Sequence, residues 1–233
     1  MSEQPIQQMT QQDPTSTRLI ISMAVAGFFS GLIIIGIYLA TFDTIKENKA
    51  RELKEAVFRV LPGVTQMSQH RLEKDRVVPY AGDPDENTLY AGFGENGDFI
   101  GYALTGAGPG FQDTIKVIYG YQPESDMGAR LIGMWILDSR ETPGLGDKIY
   151  KDAEFVGNFD ALSIEPTIKV VKKGTKTKNS EVDAITGATI SSKAVVRIIN
   201  IANDKWLPHL PVNPPEAPPQ TQTPTPSPTQ EVQ

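Results

Sequence analysis

The chain has 233 residues, no cysteine, two histidines and a net charge of −6 from 22 basic and 28 acidic side chains. That length suits one domain of ordinary size with appendages, and a hydrophobic fraction of 39%, slightly below the globular norm, says that part of the chain is not packed core. The acidic balance argues against a nucleic-acid partner, and the missing thiols exclude disulfides, iron–sulfur ligation, thiolate zinc, a cysteine nucleophile and thioether-linked haem.

After a short tail (1–18), the run from Leu19 to Phe42 carries no charge. At about 1.5 Å per residue it crosses a hydrocarbon core of about 30 Å. It lacks the short apolar core, basic start and small-residue exit of a cleaved signal, so a single retained transmembrane helix is expected over 19–42. Gly27 and Gly31 form a G-x-x-x-G pair, which reads either as a helix-packing face or as the ordinary glycine content of a membrane helix. Basic residues Lys46, Lys49, Arg51, Lys54 and Arg59 follow the helix and only Arg18 precedes it. Charge counting would put the following domain inside, but long domains translocate largely regardless of charge, so the sequence leaves the side open.

Residues 43–62 continue a helical pattern. Ile45, Leu53, Ala56, Val57 and Val60 share a face and Pro62-Gly63 ends it, which predicts a juxtamembrane stalk. Between Val77 and Val171 the texture becomes short β-like runs, TLYAGF, DFIGYAL, TIKVIYG, RLIGMWIL and TIKVV, separated by Gly, Asn, Asp and Pro. This pattern predicts an antiparallel sheet rather than βαβ units. A last helix is expected near Ile190 to Asn203, with Ala194, Val195, Ile198, Ile199 and Ala202 on one face. The fold class is therefore α+β: a transmembrane helix, then one soluble domain (63–206) with a mainly antiparallel sheet and flanking helices. The proline-rich segment 207–233 cannot bury a core and is expected to be disordered. His70 and His209 have no triad or ligand spacing and are expected on the surface, and no G-x-S-x-G is present, which argues against a hydrolase.

Gly92 to Gly97 spell G-x-G-x-x-G. A dinucleotide fingerprint needs a helix next, whereas residues 98–104 read as a strand, so Asn96-Gly97 is expected to be a hairpin turn.

The chemistry lies in the run from Asp183 to Lys193, DAITGATISSK. Four hydroxyls (Thr186, Thr189, Ser191, Ser192) crowd the mouth of the last helix, where free amides and the dipole favour a phosphate. Gly187 and Ala188 permit close approach, and Lys193 adds charge. The plainer reading is an ordinary helix start capped by Thr189 or Ser191, and the residues alone favour it.

DAITGAT resembles the D-x-x-[ST]-G-A-T motif of the flavin-carrying subunits of Rnf and Nqr ion-pumping electron-transport complexes. A second segment, Glu141-Thr142-Pro143-Gly144-Leu145-Gly146-Asp147-Lys148-Ile149, is similar to the ETPGLG stretch of the same family, and its continuation resembles the Rnf G subunit more than the Nqr C subunit. Gly110-Phe111 through Gly120 fits loosely. Ser139-Arg140 depart from the family pattern, which has histidine there. The resemblance covers about Asp43 to Trp206 and implies covalent FMN, esterified through its phosphate to Thr189 by a flavin transferase. It further implies a phosphate turn of Thr186, Gly187 and Ala188 with Ile190 opening the helix, and a ring-facing turn of Glu141, Thr142, Gly144 and Leu145. It implies an electron-transfer subunit of a ferredoxin:NAD-type complex with no catalysis of its own and no metal. Other members of the complex would be partners, and the domain would stand outside the cytoplasmic membrane. The alternatives are an Nqr-type C subunit, a stand-alone membrane-anchored flavin domain, or a cofactor-free assembly subunit.

Overall fold

In the computed structural model, residues 16–123, 128–211 and 215–217 are described. The proline-rich segment lies largely outside them. Two compact units divide near Lys49/Ala50. The first is the greater part of helix α1 (Ser16–Val60), whose apolar side chains from Leu19 to Phe42 are exposed. That helix is long and apolar enough to cross a membrane.

The second unit is built on a seven-stranded sheet: β1 (Gln66–Glu73), β2 (Arg76–Pro79), β3 (Thr88–Phe93), β4 (Phe99–Pro109), β5 (Thr114–Gln122), β6 (Arg130–Asp138) and β7 (Leu162–Ser163). Its order is β2-β1-β3-β4-β5-β6-β7, with every pairing antiparallel. Between the sheet's strands and after them come the short helices α2 (Lys148–Lys151) and α3 (Ala153–Gly157), a separate pair β8 (Lys169–Val171) and β9 (Glu181–Asp183), and α4 (Thr189–Trp206).

Side chains alternate across a strand, and here both faces are covered. Leu89, Tyr102, Leu104, Val117 and Tyr119 face α4, whose Val195, Ile198, Ile199 and Trp206 are buried against them. Tyr90, Ala103 and Ile118 point the other way, against Ala56, Val57, Val60 and Leu61 at the end of α1. Each such aliphatic side chain contributes about 1.5–3 kcal/mol on burial. Glycines set the closeness of both layers. A Cβ on Gly106 or Gly108 would stand 3.0 or 2.9 Å from Ile198, and one on Gly133 would stand 3.1 Å from the Val60 carbonyl. Polar pins fix α4 in register, with the Tyr119 hydroxyl donating to Asn203 Oδ1 at 2.8 Å and Trp206 Nε1 donating to the Thr105 carbonyl at 2.9 Å.

The expected antiparallel sheet and terminal helix are present, and residues 94–97 form the turn between β3 and β4, with Gly97 at φ +83. Five details differ from the expectations. Leu207–His209, at the head of the segment expected to be disordered, form a short 3₁₀ helix, and Leu207, Leu210 and Ala217 pack against the core. The run TIKVV supplies β8, which pairs in parallel with β9 outside the main sheet. β1 and β2 were not visible in sequence, because QMSQHRLE carries too many polar side chains to show an apolar alternation and RVVP is only four residues long; β2 forms the edge of the sheet and β1 lies between it and β3. His70, expected on the surface, is 6% exposed in β1, paired with Leu89 on one side and Pro79 on the other. Ile45 is 41% exposed, so the packed face of α1 begins at Leu53 rather than at Ile45.

Candidate functional site

Three segments distant in sequence meet at the N-terminus of α4. The first is the turn 185–188 that leads into the helix. Gly187 takes φ +84, a left-handed value that favours glycine. The helix N-cap is Ala188, and no side chain caps it. Neither Thr189 nor Ser191 is the cap, contrary to the plainer reading of the sequence, since Thr189 is already the first helical residue.

The four hydroxyls divide into two pairs. Thr186 and Thr189 are exposed. Ser191 and Ser192 are buried, at 3% and 0%, and act as braces. Ser192 Oγ accepts the Ile185 amide at 3.1 Å and donates to the Ala188 carbonyl at 2.9 Å, closing the turn from within. Ser191 Oγ donates to Glu141 Oε2 at 2.5 Å. Thr186 lies in the turn before the helix, and helical periodicity separates Thr189 from Ser191 and Ser192, because residues at successive positions point about 100° apart.

The second segment is the 141–147 turn after β6. Leu145 and Asp147 donate their amides to the Thr142 carbonyl, and Gly144 takes φ +78. Leu145 stands out from the turn, 51% exposed, and a Cβ on Gly187 would lie 3.8 Å from its Cδ2. The two motifs are thus neighbours in space. Asp147, buried at 4%, holds Lys151 at 2.7 Å.

Sequence reasoning missed the third segment as part of the site: residues 110–113, the tip of the β4–β5 hairpin. Phe111 and Gln112 donate their amides to Glu141 Oε1 at 2.9 and 3.0 Å, and Thr142 Oγ1 donates to Gln112 Oε1 at 2.8 Å. Phe111 is 63% exposed. The signal for this segment was the loose fit of Gly110-Phe111 to the family pattern, and a glycine followed by an aromatic and a polar run fits any hairpin tip. Glu141 is itself 5% exposed. Burial pushes its carboxyl up, but the Ser191 hydroxyl and the Gln112 and Phe111 amides outweigh this and hold it below the ordinary carboxylate value. The departing pair also sits here: Ser139 Oγ accepts the Glu141 amide at 3.4 Å and Arg140 reaches Asp113 at 4.0 Å.

Of the residues singled out in sequence, Thr186, Gly187, Thr189, Ile190, Gly144 and Leu145 are therefore exposed around one surface, Thr142 is half-buried, and Ala188 and Glu141 lie beneath it. Lys193 is exposed on α4. A cleft of about 380 Å³ lined by Lys148, Lys151, Asp152, Lys173, Ile185 and Thr186 opens beside the turn. Two of its lysines are engaged in ion pairs, Lys151 with Asp147 and Lys173 with Glu154.

An FMN-binding domain model matches residues 110–204, a span that runs from the hairpin tip to the end of α4. The chain is 31% identical to the G subunit of the ion-translocating oxidoreductase complex of Methanosarcina acetivorans, over 81% of this chain and 93% of that one. It is 37% identical to the G subunit of the Na(+)-translocating ferredoxin:NAD(+) oxidoreductase complex of Acetobacterium woodii, over 46% of this chain and 49% of that one. The fold is similar to the crystal structure of Shewanella oneidensis NqrC, with a TM-score of 0.56 at 18% identity, covering 66% of this chain and 92% of that one. With a relative above 30% identity matched over nearly its whole length, this chain belongs to the family of G subunits of ion-translocating oxidoreductase complexes.

Proposed function

We propose that the chain is the FMN-carrying electron-transfer subunit of an Rnf-type, ferredoxin:NAD-class complex, and that Thr189 holds the flavin through a phosphoester. The observation that carries this reading is an exposed threonine at the first position of an 18-residue helix whose N-terminus no side chain caps. The residues fit the group. Amides of the first helical turn and the positive end of the dipole suit a phosphate diester, and the left-handed Gly187 lets backbone approach it. Leu145, Ile190 and Phe111, between 51% and 63% exposed, give an apolar ring a surface that water covers poorly.

When bound, FMN supplies one- and two-electron redox chemistry. The protein tethers and orients it. Thr186, Gly187 and Ala188 form the phosphate turn, Ile190 opens the helix, and Thr142, Gly144 and Leu145 offer the second wall with Glu141 beneath. In the attachment reaction the Thr189 hydroxyl oxygen bonds to the flavin-side phosphorus of a flavin dinucleotide. The pyrophosphate bond breaks, the nucleoside monophosphate leaves with the bonding pair, and the hydroxyl proton passes to a base of the transferase or to water. An anhydride donor is required, because condensing a free phosphate monoester with an alcohol in water is uphill. The helix over 19–42 anchors the protein among its partners in the complex, with the domain on the extracytoplasmic side.

The test is mass spectrometry of the peptide spanning Thr189 from protein co-produced with the transferase. The added FMN mass on Thr189, and its loss with in-gel flavin fluorescence in Thr189→Ala, is the expected result. Fluorescence surviving that substitution, or an unmodified peptide from the native host, overturns the assignment.

A further inference from the structure

Glu141 is buried beneath the surface rather than part of it, yet both of its oxygens are engaged. Oε1 accepts two amides of the hairpin tip, and Oε2 accepts the Ser191 hydroxyl. The chain is shaped around this carboxylate. A Cβ on Gly146 would stand 2.6 Å from Oε2 and 3.0 Å from Ser191 Oγ, and one on Gly110 would collide with Oε1. One side chain therefore joins the β4–β5 hairpin, the 141–147 turn and the first turn of α4. Its contact on α4, Ser191, lies two residues from Thr189 in the same helical turn, where a displacement of one residue is a displacement of both.

We propose that Glu141 is a positioning residue for flavin attachment: through Ser191 it fixes the first turn of α4, and so sets where the Thr189 hydroxyl is presented. The proposal rests on Thr189 being the attached residue. A charge-assisted hydrogen bond is short and directional, and reactions of a positioned hydroxyl fall steeply with misplacement of about 1 Å. Ser191 and Gly146 thereby acquire reasons for being small.

The experiment uses the full-length chain in detergent, the flavin transferase at limiting concentration and flavin adenine dinucleotide as donor. FMN incorporation is followed by intact mass over time. Glu141→Gln keeps acceptors for the two amides but removes the charge facing Ser191; Ser191→Ala removes the hydroxyl. Each should slow loading about tenfold at saturating chain without changing the KM for the dinucleotide. The double variant should be no slower than the slower single one, because both act through one bond. Ile199→Ala, a core truncation further along α4, should lower the melting temperature more and load at the wild-type rate. Wild-type loading by either variant, multiplicative effects, or equal slowing in Ile199→Ala overturns the positioning role and leaves the attachment reading standing. Labelling that persists in Thr189→Ala overturns the attachment reading instead.

Discussion

His70 and Glu141 show how differently burial treats two ionisable side chains. His70 is 6% exposed, and burial holds its imidazole below its ordinary value of 6.5. As pH falls past about 6.5 the unfolded chain takes up a proton that the native state refuses, so stability declines until the lowered native value is reached. Glu141, held below 4.5 by its donors, behaves with the same sign lower down: its stabilisation is present above about 4.5 and is lost as pH falls through the lowered native value. Denaturant unfolding of the wild type should thus weaken in two acid steps. In His70→Leu the step below about 6.5 should disappear while the one below about 4.5 persists. An unchanged upper step would show that another group titrates there. Neither residue's environment was legible in the sequence, since a lone histidine in QMSQHRLE reads as surface and Glu141 was expected in a turn facing the flavin ring rather than enclosed beneath it.

At the scale of elements, the sheet is gripped from both sides, and each grip depends on a few atoms. Gly120 and Gly133 lie under the last turn of α1, and a Cβ at Gly120 would meet the Val60 carbonyl closer than any contact allows. Gly120→Val should destabilise the domain by about 3 kcal/mol, the upper range of overpacking, read by denaturant titration. A loss under about 1 kcal/mol would mean that the end of α1 yields. On the opposite face Trp206 is fully buried. Trp206→Ala removes both its volume and its hydrogen bond to Thr105, and should cost about 3–5 kcal/mol, whereas Trp206→Phe, which loses mainly the hydrogen bond, should cost less. The strands TLYAGF, TIKVIYG and RLIGMWIL could be read from composition because apolar and β-branched residues dominate them. Their burial on both faces could not, since it follows from the two helices that cover the sheet.

For the whole molecule, the compact unit begins at Ala50, inside the segment that the sequence marks as a stalk, because Ala56, Val57 and Val60 belong to the core. A chain starting at Ala50 should therefore remain soluble and monomeric and unfold cooperatively. One starting at Pro62 loses those three side chains and Leu61 and should aggregate or melt markedly lower. Size-exclusion chromatography and thermal melting separate the two outcomes. A reporter fused after Trp206 should report the extracytoplasmic compartment; a cytoplasmic signal would favour the charge count around the anchor over the proposed orientation.

The absence of cysteine, the uncharged 19–42 run, the strand texture and the two motifs are properties of local sequence. They are legible because apolar length, β-propensity and turn chemistry act over a few neighbouring residues. They determined the fold class, whereas Thr189 was singled out by the two motifs' resemblance to a known family, the residues alone favouring an ordinary helix start. What the tertiary structure decided is which of four closely spaced hydroxyls face outward, that a hairpin tip some 30 residues before Glu141 meets the other two segments, and that Glu141 is enclosed rather than displayed. Those outcomes depend on helical phase relative to the sheet and on long-range hydrogen bonds to a buried carboxylate, which no window of sequence contains.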